Sequence, residues 1–188
     1  MSETNKTHIV VDMLNDFISG TMACLNAENA LSHSINYINT HPADKVVYVC
    51  DTHPVNHCSF TGYGGQWPAH CVVNTSGHEI HLSYYTRIND PNKRPHLNRI
   101  FHKGTSPIKE EYSGFQAVRS DGTPLSKILT KQVVVSGIAT EYCILETVKD
   151  LVEAGHEVQV LLEGLGYVNQ KDHRAAIEHM KSMGVKFI

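Results

Sequence analysis

Five residues in this chain have the type and the placing to do covalent or metal chemistry: Cys143, Asp12, Lys103, Asp51 and His53. Cys143 closes the segment Gly137-Ile138-Ala139-Thr140-Glu141-Tyr142-Cys143, which joins an apolar run to a helical pattern. Thr140 has the side chain of a helix N-cap, which puts Cys143 in the first turn. There the helix dipole and unpaired backbone N–H groups favour a thiolate. The same N–H groups suit an oxyanion on a carbonyl carbon attacked by sulfur. Asp12 follows the apolar run His8-Ile9-Val10-Val11, an awkward place for a charge without a partner. Lys103 follows a second such run, residues 99–102. A carboxylate can take the thiol proton and return it to a leaving amine. An ammonium beside it keeps the carboxylate ionised.

Asp51-Thr52-His53-Pro54 begins where the run Lys45 to Cys50 ends. In extended chain, residues 51 and 53 point the same way, so one carboxylate and one imidazole can share a metal ion. A third ligand must come from elsewhere, and His57 and His70 are both close by in sequence. One carboxylate and two imidazoles with open positions suit a catalytic divalent ion. Zn²⁺ fits best, and Mn²⁺ or Fe²⁺ are compatible.

These side chains need a scaffold that brings them together. The runs at residues 8–11, 45–50, 99–102, 132–136, 157–162 and 185–188 are short, apolar and β-branched, which predicts strands. Helical spacing marks residues 27–39, 140–154 and 172–183, the last two closed by Gly155 and Gly184, and a short helix is expected at 124–130. Uniformly apolar strands alternating with helices indicate a parallel sheet covered on both faces. Ligand sites in such sheets lie beyond the carboxyl ends of the strands. Asp12, Asp51, Lys103 and the 137–143 turn all sit at strand ends. Residues 52–98, rich in Gly, Pro, His and Asn, read as one long excursion carrying the metal loop and a small cap.

The composition excludes several classes. The chain has 188 residues, a net charge of −3 and 41 % hydrophobic content, which indicates one globular domain, 1–188. No basic field argues for nucleic acid. No apolar run approaches the ~20 residues of a membrane span. Residues 1–7 carry no apolar stretch, so no secretory signal is expected. The five cysteines, Cys24, Cys50, Cys58, Cys71 and Cys143, form no CxxC pair, and a reduced, cytoplasmic protein is the reading. Histidine is abundant, at 13 residues. Homo-oligomerisation is left open.

Together these segments resemble the isochorismatase-like cysteine hydrolases, and among them the nicotinamidases, from Ile9 to Ile188. Asp12-Met13-Leu14-Asn15-Asp16-Phe17 is similar to the family's D-x-Q-N-D-F, with Leu14 where Gln is usual. Residues 51–60 are similar to its D-W-H-P-x-x-H-x-S-F, with Thr52 in place of the aromatic. Trp67-Pro68-Ala69-His70-Cys71 resembles its W-P-x-H-C, and Lys103-Gly104 with Tyr112-Ser113-Gly114-Phe115 its K-G…Y-S-x-F. Residues 137–143 match its G-[IL]-A-T-[DE]-x-C. Glu163-Gly164 stands where Asp-Ala is frequent.

The resemblance implies a three-layer α/β/α fold with a six-stranded parallel sheet in the order 3-2-1-4-5-6. It implies Asp12, Lys103 and Cys143 as catalytic residues, and Asp51, His53 and His70 as ligands of one divalent ion, with His57 a supporting neighbour. Phe17 and Trp67 would sandwich a pyridine ring, with Ile138 and Tyr112 also lining the substrate site. A cis Ile138–Ala139 bond would aim the N–H groups of Ala139 and Cys143 at the oxyanion. The implied reaction converts nicotinamide, and also pyrazinamide, to the acid and ammonia, within the recycling of NAD breakdown products. Two other readings are a sibling hydrolase acting on a different small amide or an isochorismate-like enol ether, and a non-enzymatic metal-binding protein.

Overall fold

The computed structural model describes residues 5–188; residues 1–4 of the polar N-terminal stretch lie outside the described part. One six-stranded sheet runs through the molecule. Its strands are β1 (Thr7–Val11), β2 (Lys45–Asp51), β3 (Ile100–Lys103), β4 (Gln132–Gly137), β5 (Glu157–Leu165) and β6 (Lys186–Phe187). The order is β3-β2-β1-β4-β5-β6 and every pairing is parallel, as the sequence pattern and the resemblance implied. The order reverses at β1, so the carboxyl ends of β1, β2 and β4 open one crevice.

Burial explains the strand composition. All five residues of β1 are buried, and β2 is buried after Lys45. Both faces of the sheet are covered, so alternation would leave polar groups in the core. One face packs Val10, Val46 and Tyr48 against α2 (Ala27–Thr40), whose Ala27, Ala30, Leu31, Ile35 and Ile38 form its buried stripe. The other face packs Ile9, Val11, Val133 and Val135 against α4 (Leu145–Glu153) and α5 (Gln170–Ser182). Asn169 caps α5: its side chain accepts from Lys171 N and Asp172 N, an arrangement worth about 1 kcal/mol. Gly155 and Gly184 follow α4 and α5 at φ 84° and 83°, the left-handed geometry glycine supplies cheaply at a helix end.

Three local expectations differ. Residues 52–98 are more than a cap: Tyr84 of the short α3 (Ser83–Thr86) and Ile88 are fully buried against Tyr48 and α2. Tyr84 donates to Ser34 Oγ, 2.9 Å away. The periodicity is weak there because the segment packs through single side chains rather than a helical face. Residues 124–130 hold only one 3₁₀ turn, Leu125–Lys127. The helix expected from Thr140 opens instead as a π-helical turn, Thr140–Ile144, with Ala139 at the capping position. The Thr140 hydroxyl bonds to the Gly166 carbonyl at 2.9 Å rather than to the helix start.

Among the described residues no helix is long and apolar enough to cross a membrane.

Candidate active site

Asp12 takes up a left-handed conformation, φ 52°, immediately after β1. This turns its carboxylate into the crevice, where Oδ1 accepts from Asp51 N at 2.7 Å. The parallel register places Asp51 beside Lys103, at the ends of β2 and β3. Lys103 Nζ then reaches four partners. It lies 3.0 Å from Asp12 Oδ2 and 2.9 Å from Asp51 Oδ1, and 3.4 Å from both Cys143 Sγ and the Glu111 carbonyl. The Cys143 thiol and the Asp12 carboxylate are close enough to shift each other's protonation. All four side chains are buried.

Burial sets the protonation states. It raises Asp12 above the usual carboxylate range, with Lys103 opposing and Asp51 reinforcing the shift. Burial also pushes the Cys143 thiol well up, against the pull of Lys103 and with Asp12 and Asp51 adding to it. The helix-start argument favoured a thiolate; burial beside two carboxylates favours the thiol form. Lys103 is a buried cation, yet Asp12 and Asp51 hold its pKa well above the ordinary value. Burial would raise Asp51, but Lys103 holds it well below the usual range.

On the other side of Asp51 a second cluster converges. His53 Nδ1 lies 2.9 Å from the Gly104 carbonyl, and His70 Nδ1 lies 2.8 Å from the Pro68 carbonyl. A carbonyl oxygen only accepts, so both rings carry their hydrogen on Nδ1 and turn a bare Nε2 inward. His53 Nε2 stands 2.8 Å and His70 Nε2 3.5 Å from Asp51 Oδ2. His53 Nε2 is buried without a hydrogen-bond partner, because neither it nor the carboxylate oxygen can donate. Three buried acceptors within 4.8 Å of one another fit a cation between them. Gly104, at φ 67°, lets the chain pass this cluster: a Cβ there would sit 2.6 Å from the His53 ring and 2.9 Å from Asp51 Oδ1.

His57 is not part of that set. Its ring stacks on His53 with centroids 3.9 Å apart. Its Nδ1 bonds to Ser59 Oγ and its Nε2 to the Lys109 carbonyl, so both nitrogens are taken.

A small pocket opens over the two clusters. Phe17, Met22, Cys24, Trp67, Tyr112, Tyr142 and Val168 wall it, and Asp51, His70, Ala139 and Cys143 form its floor. Trp67 Nε1 donates to Tyr112 Oη at 3.2 Å, and the Trp67 ring meets Tyr142 edge-on. The Ile138–Ala139 peptide is cis, as the resemblance implied. Ile138 differs from expectation: its side chain is fully buried in the core with Phe17 and α2 and does not line the pocket.

Residues 6–188 match the family described as the isochorismatase domain. The chain belongs to this family. It is 33 % identical to the nicotinamidase/pyrazinamidase of Mycobacterium tuberculosis across 96 % of both chains. It is 28 % identical to the nicotinamidase of Escherichia coli, over 94 % of this chain and 91 % of that one. Among solved structures, the pyrazinamidase of Pyrococcus horikoshii in complex with zinc superposes with a TM-score of 0.84 at 35 % identity, covering 98 % of this chain and 99 % of that one. PnC1 from L. infantum in complex with nicotinate gives 0.78 at 27 % identity, covering 100 % and 94 %.

Sequence reasoning missed several members of this isochorismatase-type site. Met22, Cys24, Tyr142 and Val168 wall the pocket, yet none carries a chemical signature; Tyr142 alone had a signal, as the neighbour of Cys143. The Glu111 carbonyl on Lys103 is a backbone contact, invisible in side-chain patterns.

Proposed function

We propose that this chain is a nicotinamidase, a single-domain amidohydrolase that converts nicotinamide to nicotinate and ammonia and also accepts pyrazinamide. The observation that carries this reading is one continuous buried assembly: Cys143, Asp12 and Lys103 share Asp51 with the two histidines, beneath an aromatic pocket. The nicotinamidase and pyrazinamidase relatives, matched over nearly the whole chain, support the substrate class.

Asp51, His53 and His70 would hold one divalent ion, best Zn²⁺, which supplies a Lewis acid toward the ring nitrogen. Phe17, Trp67 and Tyr112 hold the flat ring, with offset or edge contacts worth about 0.5–1.5 kcal/mol each. This fixes the carboxamide over Cys143, an orientation effect. Asp12, raised by burial, takes the thiol proton, and the sulfur attacks the carbonyl carbon. Lys103 balances the negative charge that passes between Asp12 and sulfur. The backbone N–H groups of Ala139 and Cys143 receive the oxyanion. Asp12 then protonates the departing ammonia, leaving a thioester on Cys143. A water deprotonated by Asp12 hydrolyses it and restores the thiol.

The test is ammonia release from nicotinamide by the zinc-loaded protein and by Cys143→Ala. Turnover by the first and none by the second is expected. No release from nicotinamide alongside release from another small amide would move the chain to a sibling activity. No release from any amide would return it to the metal-binding reading.

A further inference from the structure

The two peptide groups flanking His70 are both held by the segment that walls the pocket. α1 (Asn15–Ile18) carries Asp16, whose Oδ2 accepts from Cys71 N at 2.8 Å. Cys71 is fully buried and left-handed, φ 48°, so the chain turns sharply just after His70. Five residues beyond Asp16, Thr21 Oγ1 donates to the Ala69 carbonyl at 3.0 Å. Asp16 Oδ1 closes the loop by accepting from Thr21 N at 3.2 Å. His70 therefore sits in a bracket, gripped on one side through Cys71 and on the other through Ala69.

The space around Asp16 is made by glycine. A Cβ on Gly77 would lie 2.1 Å from Asp16 Oδ2 and 2.3 Å from its Cγ, and one on Gly20 would lie 2.4 Å from Oδ1. The same segment supplies Phe17, Met22 and Cys24 to the pocket, and the Phe17 ring lies 5.5 Å from the His70 ring.

We propose that Asp16 and Thr21 are positioning residues for His70, which fix its Nε2 toward Asp51 and so set the affinity of the site for its divalent ion. The proposal rests on Asp51, His53 and His70 being the ligands. Groups that orient a metal-binding imidazole characteristically change affinity by about 10–100-fold when removed.

The test measures Zn²⁺ affinity of the metal-stripped full-length protein by competition with a chromophoric chelator, with near-ultraviolet circular dichroism as the check on folding. Asp16→Ala should weaken Zn²⁺ binding about 10–100-fold. Gly77→Ala should do the same, because its methyl group displaces the carboxylate while leaving Asp16 in place. Asp16→Asn keeps an oxygen for Cys71 N and should recover most of the affinity. Thr21→Val, on the surface, should weaken binding by a smaller factor and carries the test if Asp16→Ala does not fold. Wild-type affinity in Gly77→Ala and Thr21→Val would overturn the proposal while leaving the ligands standing. Wild-type protein that binds no Zn²⁺ would overturn both.

Discussion

Asp51 and Lys103 lie side by side in register across β2 and β3, and Lys103 Nζ donates to Asp51 Oδ1 at 2.9 Å. The other oxygen of the same carboxylate faces His53 and His70. One side chain thus belongs to both clusters. With Asp12 ionised, two carboxylates face one ammonium, a buried imbalance of one negative charge that a divalent ion at the histidines would reverse. In the proposed mechanism, charge at that position sets how readily the Cys143 thiol gives up its proton to Asp12.

Asp51→Ala should accordingly lose both functions. Metal content, measured by plasma mass spectrometry after dialysis, should fall from about one ion per chain to near zero. Ammonia release should fall by at least the about 10²–10⁴-fold of a lost acid–base arrangement. A variant that kept its ion would refute the ligand role of Asp51.

Asp12→Asn separates the two clusters. The amide keeps an oxygen for Asp51 N but cannot take the thiol proton. Turnover should fall about 10²–10⁴-fold with metal content unchanged. Cys143→Ser should behave alike. Loss of the ion in Asp12→Asn would show instead that Asp12 acts by holding Asp51.

A pH prediction comes from the opposite end of β1. His8 is fully buried, its Nε2 is bonded to Ser136 Oγ at 2.8 Å, and burial, reinforced by His41 and Lys93, lowers its pKa to about 3. The folded chain therefore binds fewer protons than the unfolded chain, where histidine titrates near 6.5. The contribution of neutral His8 is complete above pH 6.5 and is lost as pH falls toward 3. At pH 5 the loss is about 2 kcal/mol, from 1.36 kcal/mol per pH unit. Urea unfolding between pH 8 and pH 4 should show it, and His8→Gln should flatten the slope by about one proton. An unchanged slope would remove His8 as the cause.

Much of the sheet was legible because β1, β2 and β4 are buried almost throughout, and β1, β2 and β3 end at or beside a charged residue, Asp12, Asp51 or Lys103. The convergence of Asp51 and His53 was legible from alternation alone, since residues two apart in a strand point the same way. Spacing alone left the third member of the cluster open, because His57 and His70 are equivalent as letters; the resemblance pointed to His70. Only the fold shows that the carbonyl of Lys109 and the hydroxyl of Ser59 occupy His57 while His70 keeps a bare nitrogen. The opposing pull of burial on the thiol was hidden for a related reason: helix position is local, whereas burial beside two carboxylates is assembled by four strands. The surplus of histidine is in part structural: His8 serves the core through Ser136.

The turn that delivers Cys143 makes its own demand on sequence. Gly137 ends β4 at φ 139°, paired with Val11, and a Cβ there would lie 2.0 Å from the Val11 carbonyl oxygen. Backbone cannot yield as a flexible side chain can, so Gly137→Ala must part β1 from β4 at the point where Asp12 and Ala139 leave the sheet. We expect it to destabilise the chain by about 3 kcal/mol, the upper end of ordinary substitutions, and to abolish ammonia release even in the fraction that folds. Gly62→Ala, where a Cβ meets nothing within 4 Å, is the matched control and should be neutral within about 0.5 kcal/mol. Thermal and urea unfolding of the two variants side by side decides it. A Gly137→Ala protein with wild-type stability would mean that β1 and β4 can separate at their carboxyl ends at no cost, and that the placing of Cys143 against Asp12 does not depend on this close approach.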